Sequence, residues 1–281
     1  MTKEYLENKM KVIILTGSEL RHRFMRKAIA LALGKDNFIV KSYCEGTEKS
    51  LLNLVKNNEP NSLKEEYLKE REKVESDFFS SFVRLSPDFS NPISIPKGAI
   101  NAQEYVDEII HENPDLIIAY GCSIIKSELI DKFAGRFLNA HLGLSPYYRG
   151  SGTNFWPLVN GEPEYVGVTF MYLDKGVDTG EIIHQIRARI YHRDTVHQIG
   201  NRLISDAAIV YAQIIQNFHN LKRVRQLNMP NSGKYYKNSD FTEASILKLY
   251  ENFASGMIDK YLTINDNEKA PIVQNPILKG L

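Results

Sequence analysis

The segment RFLNAHLGLSPYYRGSGTNFWPLVNGEPEYVGVTFMYLDKGVDTGEIIHQ, residues 136–185, joins the end of an apolar strand to a set of reactive side chains. Asn139 and His141 lie two residues apart, and alternate residues of an extended chain point to the same face, so both can reach one ligand atom. Asp178 follows in a glycine-flanked turn, residues 177–180. An amide can donate to an oxyanion, an imidazole can move a proton, and a carboxylate can set the charge of that imidazole. The three residue types suit transfer of an acyl group to an amine.

The sequence around this segment predicts alternating strands and helices. Short apolar runs at residues 11–16, 38–40, 115–119 and 136–140 read as buried strands, and helical periodicity separates them. This alternation predicts an α/β, Rossmann-like, mostly parallel sheet with helices on both faces. Ligands of such sheets bind at the carboxyl ends of the strands. Residues 17–18, 120–123 and 139–141 are therefore expected at one edge.

Three helices have predicted starting points. Ser62 with Glu65 opens a charged helix, Asn101 with Glu104 forms a capping box, and Asp194 caps a long helix. The first of these helices carries apolar residues every three or four positions, namely Leu63, Tyr67, Val74, Phe78 and Phe82. It is either a cover on one face of the sheet or a lid over the substrate. A shorter helix is expected to begin near Thr153.

The second half of the chain predicts two more strands, at residues 166–172 and 181–190, before the long helix. Past residues 228–230 the apolar pattern weakens, leaving an edge strand at 234–237, a helix at 242–253 and a polar tail. We expect a catalytic domain over residues 1–221 and a small C-terminal appendage over residues 222–281.

Composition narrows the partners. The chain has 281 residues, 43% hydrophobic and 25% charged, with a formal net charge of +1. The net charge is therefore too small to favour binding to nucleic acid or to anionic lipid. The two cysteines, Cys44 and Cys122, have no metal-binding spacing and fit a reducing compartment. The apolar run at residues 12–15 is too short for a signal peptide or a membrane span. A cytoplasmic protein without a membrane partner is expected.

These residues alone leave two interpretations open. An asparagine at a strand end is commonly a turn residue, and a histidine is commonly a satisfied surface or core group. Glycine-rich loops at the same sheet edge favour catalysis, but spacing and composition do not decide between the two.

Residues 137–185 resemble the signature region of the formyltransferases that use 10-formyltetrahydrofolate, a family that includes glycinamide ribonucleotide, methionyl-tRNA and nucleotide-sugar enzymes. The resemblance is nearest to the nucleotide-sugar N-formyltransferases. The matching motifs are Asn139-Ala140-His141, Leu144-Ser145-Pro146, Arg149-Gly150, Gly167-Val168-Thr169 and Asp174-Lys175-Gly176-Val177-Asp178-Thr179-Gly180. Gly143 departs from the pattern, since many members carry Ser there.

The resemblance implies direct transfer of the formyl group, with no metal and no covalent intermediate. Asn139 and a protonated His141 would hold the oxyanion, and Asp178 would support the imidazolium and help to move the proton of the amine. The pterin of 10-formyltetrahydrofolate would bind mainly to backbone groups of Tyr120, Gly121, Cys122, Ser123, Ile124, Ile125, Val177, Thr179 and Gly180. Cys122 would then be a packing residue.

The sequence gives weaker evidence for the identity of the acceptor amine. Arg21, His22 and Arg23 follow the first strand and could attract a phosphate, whereas Glu19 would repel one. The short C-terminal part and the low net charge argue against tRNA. A nucleotide-linked amino sugar is the expected acceptor, with possible contacts from Tyr147, Arg149, Asn154 and Trp156. A solvated helix face or core packing would also explain these residues.

Other functions stay open. They are a glycinamide ribonucleotide-type or methionyl-tRNA-type enzyme, a formyl hydrolase that binds folate, and a catalytically silent binding module. A homodimer is compatible with the sequence.

Overall fold

A seven-stranded sheet forms the centre of the molecule. The structure is a computed structural model, and it describes residues 9–226 and 233–278. The strands, numbered along the chain, are β1 (Met10–Gly17), β2 (Phe38–Glu45), β3 (Pro92–Ile95), β4 (Leu116–Tyr120), β5 (Phe137–His141), β6 (Tyr148–Gly150), β7 (Gly167–Tyr172), β8 (Ile182–Arg187) and β9 (Lys234–Tyr236). The central sheet has the order β3-β2-β1-β4-β5-β7-β8, and β6 pairs with β9 in a second sheet. Strands β1 to β5 are parallel, while β7 and β8 are antiparallel. The predicted mostly parallel sheet is confirmed.

Helices cover both faces of this sheet, as predicted. They are α1 (Leu20–Leu33), α2 (Leu51–Asn58), α3 (Leu63–Leu85), α4 (Gln103–Glu112), α5 (Ser127–Lys132), α6 (Trp156–Val159), α7 (Val196–Gln216), α8 (Glu243–Ala254) and α9 (Met257–Tyr261). Along β1, Val12 and Ile14 join a core with α1, α3 and α7. Ile13 and Leu15 join a second core with α4 and α5. Alternation along the strand thus fills both layers.

The carboxyl ends of three strands meet at one edge. Thr16 of β1 lies beside Tyr120 of β4, and Ala119 lies beside Asn139 of β5. The Thr16 hydroxyl donates to the Tyr120 carbonyl at 2.8 Å. The predicted convergence of residues 17–18, 120–123 and 139–141 is therefore present.

Helix α3 begins where predicted, because the Ser62 hydroxyl accepts from the Glu65 amide at 3.2 Å. Its buried face differs from the prediction, since Phe79 is buried and Phe78 is 39% exposed. Phe79 stacks on Phe24 of α1 with ring centroids 4.4 Å apart. The helix therefore packs on neighbouring helices, which fits a structural cover. Whether it also closes over a substrate stays a prediction.

Two predicted caps were wrong. Helix α4 is preceded by Ala102, and the Asn101 side chain instead bonds the loop that follows β4. Helix α7 is capped by Thr195 in a capping box, whereas the Asp194 carboxylate binds Arg202 at 2.7 Å. Neighbouring Asp and Thr have the same capping chemistry, so the sequence does not show which one has the extended backbone that a cap needs. The helix expected near Thr153 begins at Trp156.

The C-terminal part packs against the main sheet. Val224 forms an antiparallel bridge with Ile182, and the Val273 carbonyl accepts from the Gln185 amide at 2.7 Å. The edge strand and the helix are found as β9 and α8, while residues 228–230, used to place the boundary, lie outside the described residues. Over the described ranges, no helix combines the length and apolarity needed to cross a membrane.

Candidate active site

Asn139, His141 and Asp178 meet beside the carboxyl end of β5. The strand presents Asn139 and His141 two positions apart. The loop of residues 173–181, here named the Asp178 loop, brings the Asp178 carboxylate to 3.3 Å from His141 Nδ1. The second oxygen of Asp178 accepts from the Gly150 amide at 2.9 Å. Asp178 therefore contacts His141, and Asn139 lies two positions before His141 on the same strand.

Both nitrogens of His141 face oxygen atoms. Nε2 lies 3.0 Å from the Tyr148 carbonyl and 3.4 Å from the Thr153 hydroxyl, which itself donates to the Leu142 carbonyl. A carbonyl can only accept, so Nε2 carries a proton. Nδ1 faces the Asp178 carboxylate at 3.3 Å, so the imidazole is held between a carbonyl and a carboxylate.

The Asn139 amide is free to bind a ligand. Its residue is partly exposed, and its side chain makes no hydrogen bond to another residue in the ranges 9–226 and 233–278. It can therefore donate to an incoming oxygen without first breaking a contact.

The Asp178 loop owes its shape to its own sequence. The Asp174 carboxylate accepts from the Gly176 amide at 3.0 Å and from the Thr179 hydroxyl at 2.8 Å. A side chain at Gly180 would place Cβ 1.8 Å from the Tyr172 carbonyl. Asp178 adopts a left-handed φ of 53°. Asp174 and Gly180 thus explain much of the spacing in this motif.

Gln226 also holds this loop, and sequence reasoning missed it. Its side-chain amide donates to the carbonyls of Asp178, at 3.0 Å, and Gly180, at 2.8 Å. It lies 48 residues from Asp178 along the chain, in a segment without a recognised motif. No local signal in the sequence could have identified it.

The loop after β4, residues 121–126, is anchored by neighbouring parts of the chain. Buried Glu45 accepts from the Ser123 amide at 2.7 Å, and the Asn101 amide donates to the Ile124 carbonyl at 2.9 Å. Ile124 is 86% exposed and Val177 is 47% exposed. Two apolar side chains on anchored loops suit the flat surface of a pterin.

Cys122 is unsuited to nucleophilic attack. Burial, and then the Glu45 carboxylate, raises the pKa of the Cys122 thiol to about 12. The thiol is protonated near neutral pH, and a thiol reacts only as the thiolate. In the part of the chain described, no three His, Cys, Asp or Glu side chains are grouped to hold a metal.

The basic residues at the start of α1 are not free cations. Arg21 forms ion pairs with Glu75, at 2.8 Å, and with Glu19. His22 is buried, and Arg23 is exposed. A phosphate at Arg21 would have to compete with two carboxylates, so the structure gives little support for this part of the predicted acceptor site.

Two of the predicted aromatic contacts have structural partners. The Tyr147 hydroxyl donates to the Pro271 carbonyl at 3.1 Å. Trp156 stacks on Tyr236 with centroids 4.2 Å apart, and its indole N–H donates to the Ser151 carbonyl at 3.1 Å. Both side chains take part in packing.

Arg149 and Asn154 are better placed to bind a ligand. Arg149 lines a groove of about 560 Å³ beside the Asp178 loop, together with Arg223 and Arg225. Arg149 Nε and Asn154 Oδ1 are buried and have no hydrogen-bond partner among the described residues. These two residues stay candidates for substrate binding.

Solved structures share this fold. A sugar N-formyltransferase from Shewanella superposes with a TM-score of 0.57 at 19% identity, covering 86% of this chain and 87% of that chain. An N-formyltransferase from Helicobacter canadensis, solved with folinic acid and dTDP-3-aminofucose, gives 0.52 at 19% identity, covering 87% and 80%. At this identity the likeness establishes the fold alone.

Sequence relatives identify the family. A methionyl-tRNA formyltransferase from Desulforamulus reducens is 34% identical over 152 residues, which are 53% of this chain and 46% of the relative. The chain thus spans about half the length of the curated relatives it matches. The family described as formyl transferase matches residues 45–215. That range contains Asn139, His141 and Asp178, and the chain belongs to the formyl transferase family.

Proposed function

We propose that this protein transfers a formyl group from 10-formyltetrahydrofolate to a primary amine. The observation that carries the proposal is the contact of Asp178 with His141 beside the free amide of Asn139. The exposed apolar side chains of Ile124 and Val177 support a folate position next to this group.

The reaction follows from these positions. The nitrogen of the amine attacks the formyl carbon, and Asn139 donates to the oxyanion that forms. A protonated His141, held by Asp178 at 3.3 Å, would add a neighbouring positive charge that stabilises the oxyanion. The bond from the formyl carbon to N10 then breaks. Asp178 passes the proton of the amine, through water, to that leaving nitrogen.

The proposed acceptor is a nucleotide-linked amino sugar. The Helicobacter canadensis enzyme, which shares the fold, was solved with such a compound. The curated relatives that match in sequence are methionyl-tRNA formyltransferases, so methionyl-tRNA is the second candidate.

The proposal is tested by mixing the purified protein with 10-formyltetrahydrofolate and separate amines. The amines are dTDP-linked and UDP-linked amino sugars, glycinamide ribonucleotide and methionyl-tRNA, and mass spectrometry detects the formylated product. Formylation of an amino sugar supports the proposal. If only methionyl-tRNA is formylated, the acceptor is methionyl-tRNA and not an amino sugar. If 10-formyltetrahydrofolate is only hydrolysed to formate, the protein is a hydrolase and formyl transfer is refuted.

Replacing Asn139 by alanine should lower kcat by about a hundredfold to a thousandfold, because it removes an oxyanion donor. Binding of folinic acid, measured by calorimetry, should change little. The matched control is Asn57→Ala, an exposed asparagine on α2. A variant Asn139→Ala with wild-type kcat would rule out the proposed role.

A further inference from the structure

A group of buried polar atoms lies unpaired at the edge of the sheet. These atoms have no hydrogen-bond partner among the described residues, and they are Tyr120 Oη, His22 Nδ1, Arg71 Nε, His197 Nε2 and Asn201 Nδ2. Tyr120 is 3% exposed, His22 7%, His197 5% and Asn201 3%. Most buried polar atoms in proteins are paired, and an unpaired one costs about 1–3 kcal/mol. A polar ligand that reached this region would pair several of these atoms at once.

Contacts connect these residues to α3. Arg21, next to His22, shares the Glu75 carboxylate with Arg71, and His197 lies against Tyr67 of α3 with ring centroids 4.6 Å apart. Asn201 follows His197 by about one turn of α7. His22 and Tyr120 contact each other edge to face, with ring centroids 5.3 Å apart. Burial, and then the charges of Arg21, Lys97 and Arg71, lower the pKa of His22. His197 begins α7 on the other side, where burial and then the Arg71 charge lower its pKa to about 4. We name His22, Arg71, Tyr120, His197 and Asn201 the Arg71 cluster.

Arg71 is incompletely paired. Its Nε lies 3.6 Å from the Glu75 carboxylate, which is beyond hydrogen-bond distance, while Arg21 binds the same oxygen at 2.8 Å. Burial, and then the charge of Arg21, lower the pKa of Arg71 to about 10. An oxygen ligand would supply the acceptor that Arg71 lacks.

The Arg71 cluster adjoins the catalytic group. Tyr120 ends β4, and the preceding Ala119 pairs with Asn139 on β5. His22 fits against the glycines at the ends of two strands, since a Cβ on Gly121 would lie 2.2 Å from its ring. A ligand in the cluster would therefore lie at the same carboxyl edge as Asn139.

We propose that the Arg71 cluster binds the hydroxyl groups of the acceptor sugar and that α3, through Arg71, selects a polyhydroxylated amine. This inference rests on the proposed formyl transfer. Burial holds the pKa values of His22 and His197 low, so near pH 7 the cluster offers two neutral imidazoles, a phenol hydroxyl and a side-chain amide beside the Arg71 cation. A hydroxyl group both donates and accepts, and so matches such a set.

The test uses two variants and a control. Tyr120→Phe removes only the unpaired hydroxyl and should leave folding intact. Arg71→Met removes the central cation at similar length. Arg84→Met, on the exposed last turn of α3, is the control. Calorimetry in the presence of tetrahydrofolate gives Kd for the dTDP-linked or UDP-linked amino sugar that the wild type formylates fastest, and KM is measured with it.

Tyr120→Phe and Arg71→Met should each raise Kd and KM about tenfold, while the affinity for folinic acid stays within about twofold. Arg84→Met should change neither. Unchanged Kd and KM in both variants, with formyl transfer intact, would overturn the Arg71 cluster and leave the proposed function standing. Formylation of methionyl-tRNA alone would overturn the Arg71 cluster and replace the proposed acceptor, while formyl transfer would stand. Release of formate to water alone would overturn both proposals.

Discussion

Gly143 makes room for His141, the histidine proposed to act in formyl transfer. A Cβ at this position would lie 2.5 Å from His141 Nε2 and 2.7 Å from the Thr153 side chain. Either contact is too short, so a larger residue would displace His141 or Thr153. Glycine at position 143, where many family members carry serine, therefore fits the close approach of the chain to His141, which lies near Thr153 and the Tyr148 carbonyl.

Replacing Gly143 by alanine should lower kcat at least tenfold, because the displaced His141 would lose its contact with Asp178. The matched control is Gly200→Ala, since a Cβ there meets open space within α7. That control should stabilise the protein by about 0.5–1 kcal/mol and preserve kcat. Steady-state kinetics and urea unfolding measure both effects. Wild-type kcat in Gly143→Ala would show that His141 does not depend on this space.

At the residue scale, periodicity predicts some contacts and misses others. The pairing of Asn139 with His141 follows from the two-residue repeat of a strand. The hydrophobic periodicity around Arg71 predicts an amphipathic helix, but it does not predict which residues contact Arg71. Gln226 reaches Asp178 only through the tertiary fold. Unpaired atoms such as Tyr120 Oη depend on three-dimensional surroundings, which one sequence does not show.

Among the elements, the Asp178 loop depends most on a distant segment. Two hydrogen bonds from Gln226 fix its backbone on either side of Thr179. The antiparallel bridge between Val224 and Ile182 brings Gln226 there. Gln226 is therefore a positioning residue for Asp178.

Replacing Gln226 by alanine should lower kcat about tenfold with KM for the folate little changed, because the loop would lose two hydrogen bonds and Asp178 would be less well oriented. Gln216→Ala is the control, because the Gln216 amide makes only an exposed 3.3 Å contact. A kcat equal to that of the wild type would refute the positioning role.

Strand positions were predicted better than helix ends. Long apolar runs such as β4 have few alternatives, because five buried residues in a row fit the inside of a parallel sheet. Helix ends depend on one residue's backbone angles. That is why Asp194 was mistaken for the cap that Thr195 provides, and why Asn101 was assigned to α4 although it anchors the loop after β4.

For the whole molecule, a buried histidine links the C-terminal part to the sheet. Nδ1 of His184 on β8 accepts a hydrogen bond from the backbone amide of Asn275 at 2.9 Å. Burial lowers the pKa of His184 to about 4. A protonated Nδ1 could not accept this bond, so acid should weaken the attachment of residues 270–278.

Stability should fall as the pH decreases from about 6.5 to about 4, because the unfolded chain takes up a proton on His184 that the folded chain resists. Above about pH 6.5 the contribution of His184 to the free energy of unfolding is fully present. His184→Asn keeps an acceptor near Nδ1 but cannot titrate in this range. The free energy of unfolding in urea, compared at about pH 7 and about pH 4.5, should therefore change less in His184→Asn than in the wild type.

The control for this comparison is His111→Asn, an exposed histidine on α4. It should keep the pH dependence of the wild type. Equal pH dependence in His184→Asn and the wild type would show that His184 does not couple stability to pH.

The bridge at Val224 and the amide of Gln226 lie beyond residue 215, where the family match ends. A shortened protein that stopped at residue 215 would still contain every atom proposed to touch the formyl group. It should nevertheless be a poorer catalyst, because the Asp178 loop would lose both hydrogen bonds from Gln226 and Asp178 would keep only its contacts with Gly150 and His141. We therefore expect a working enzyme to need a longer stretch of this chain than the stretch that identifies the family.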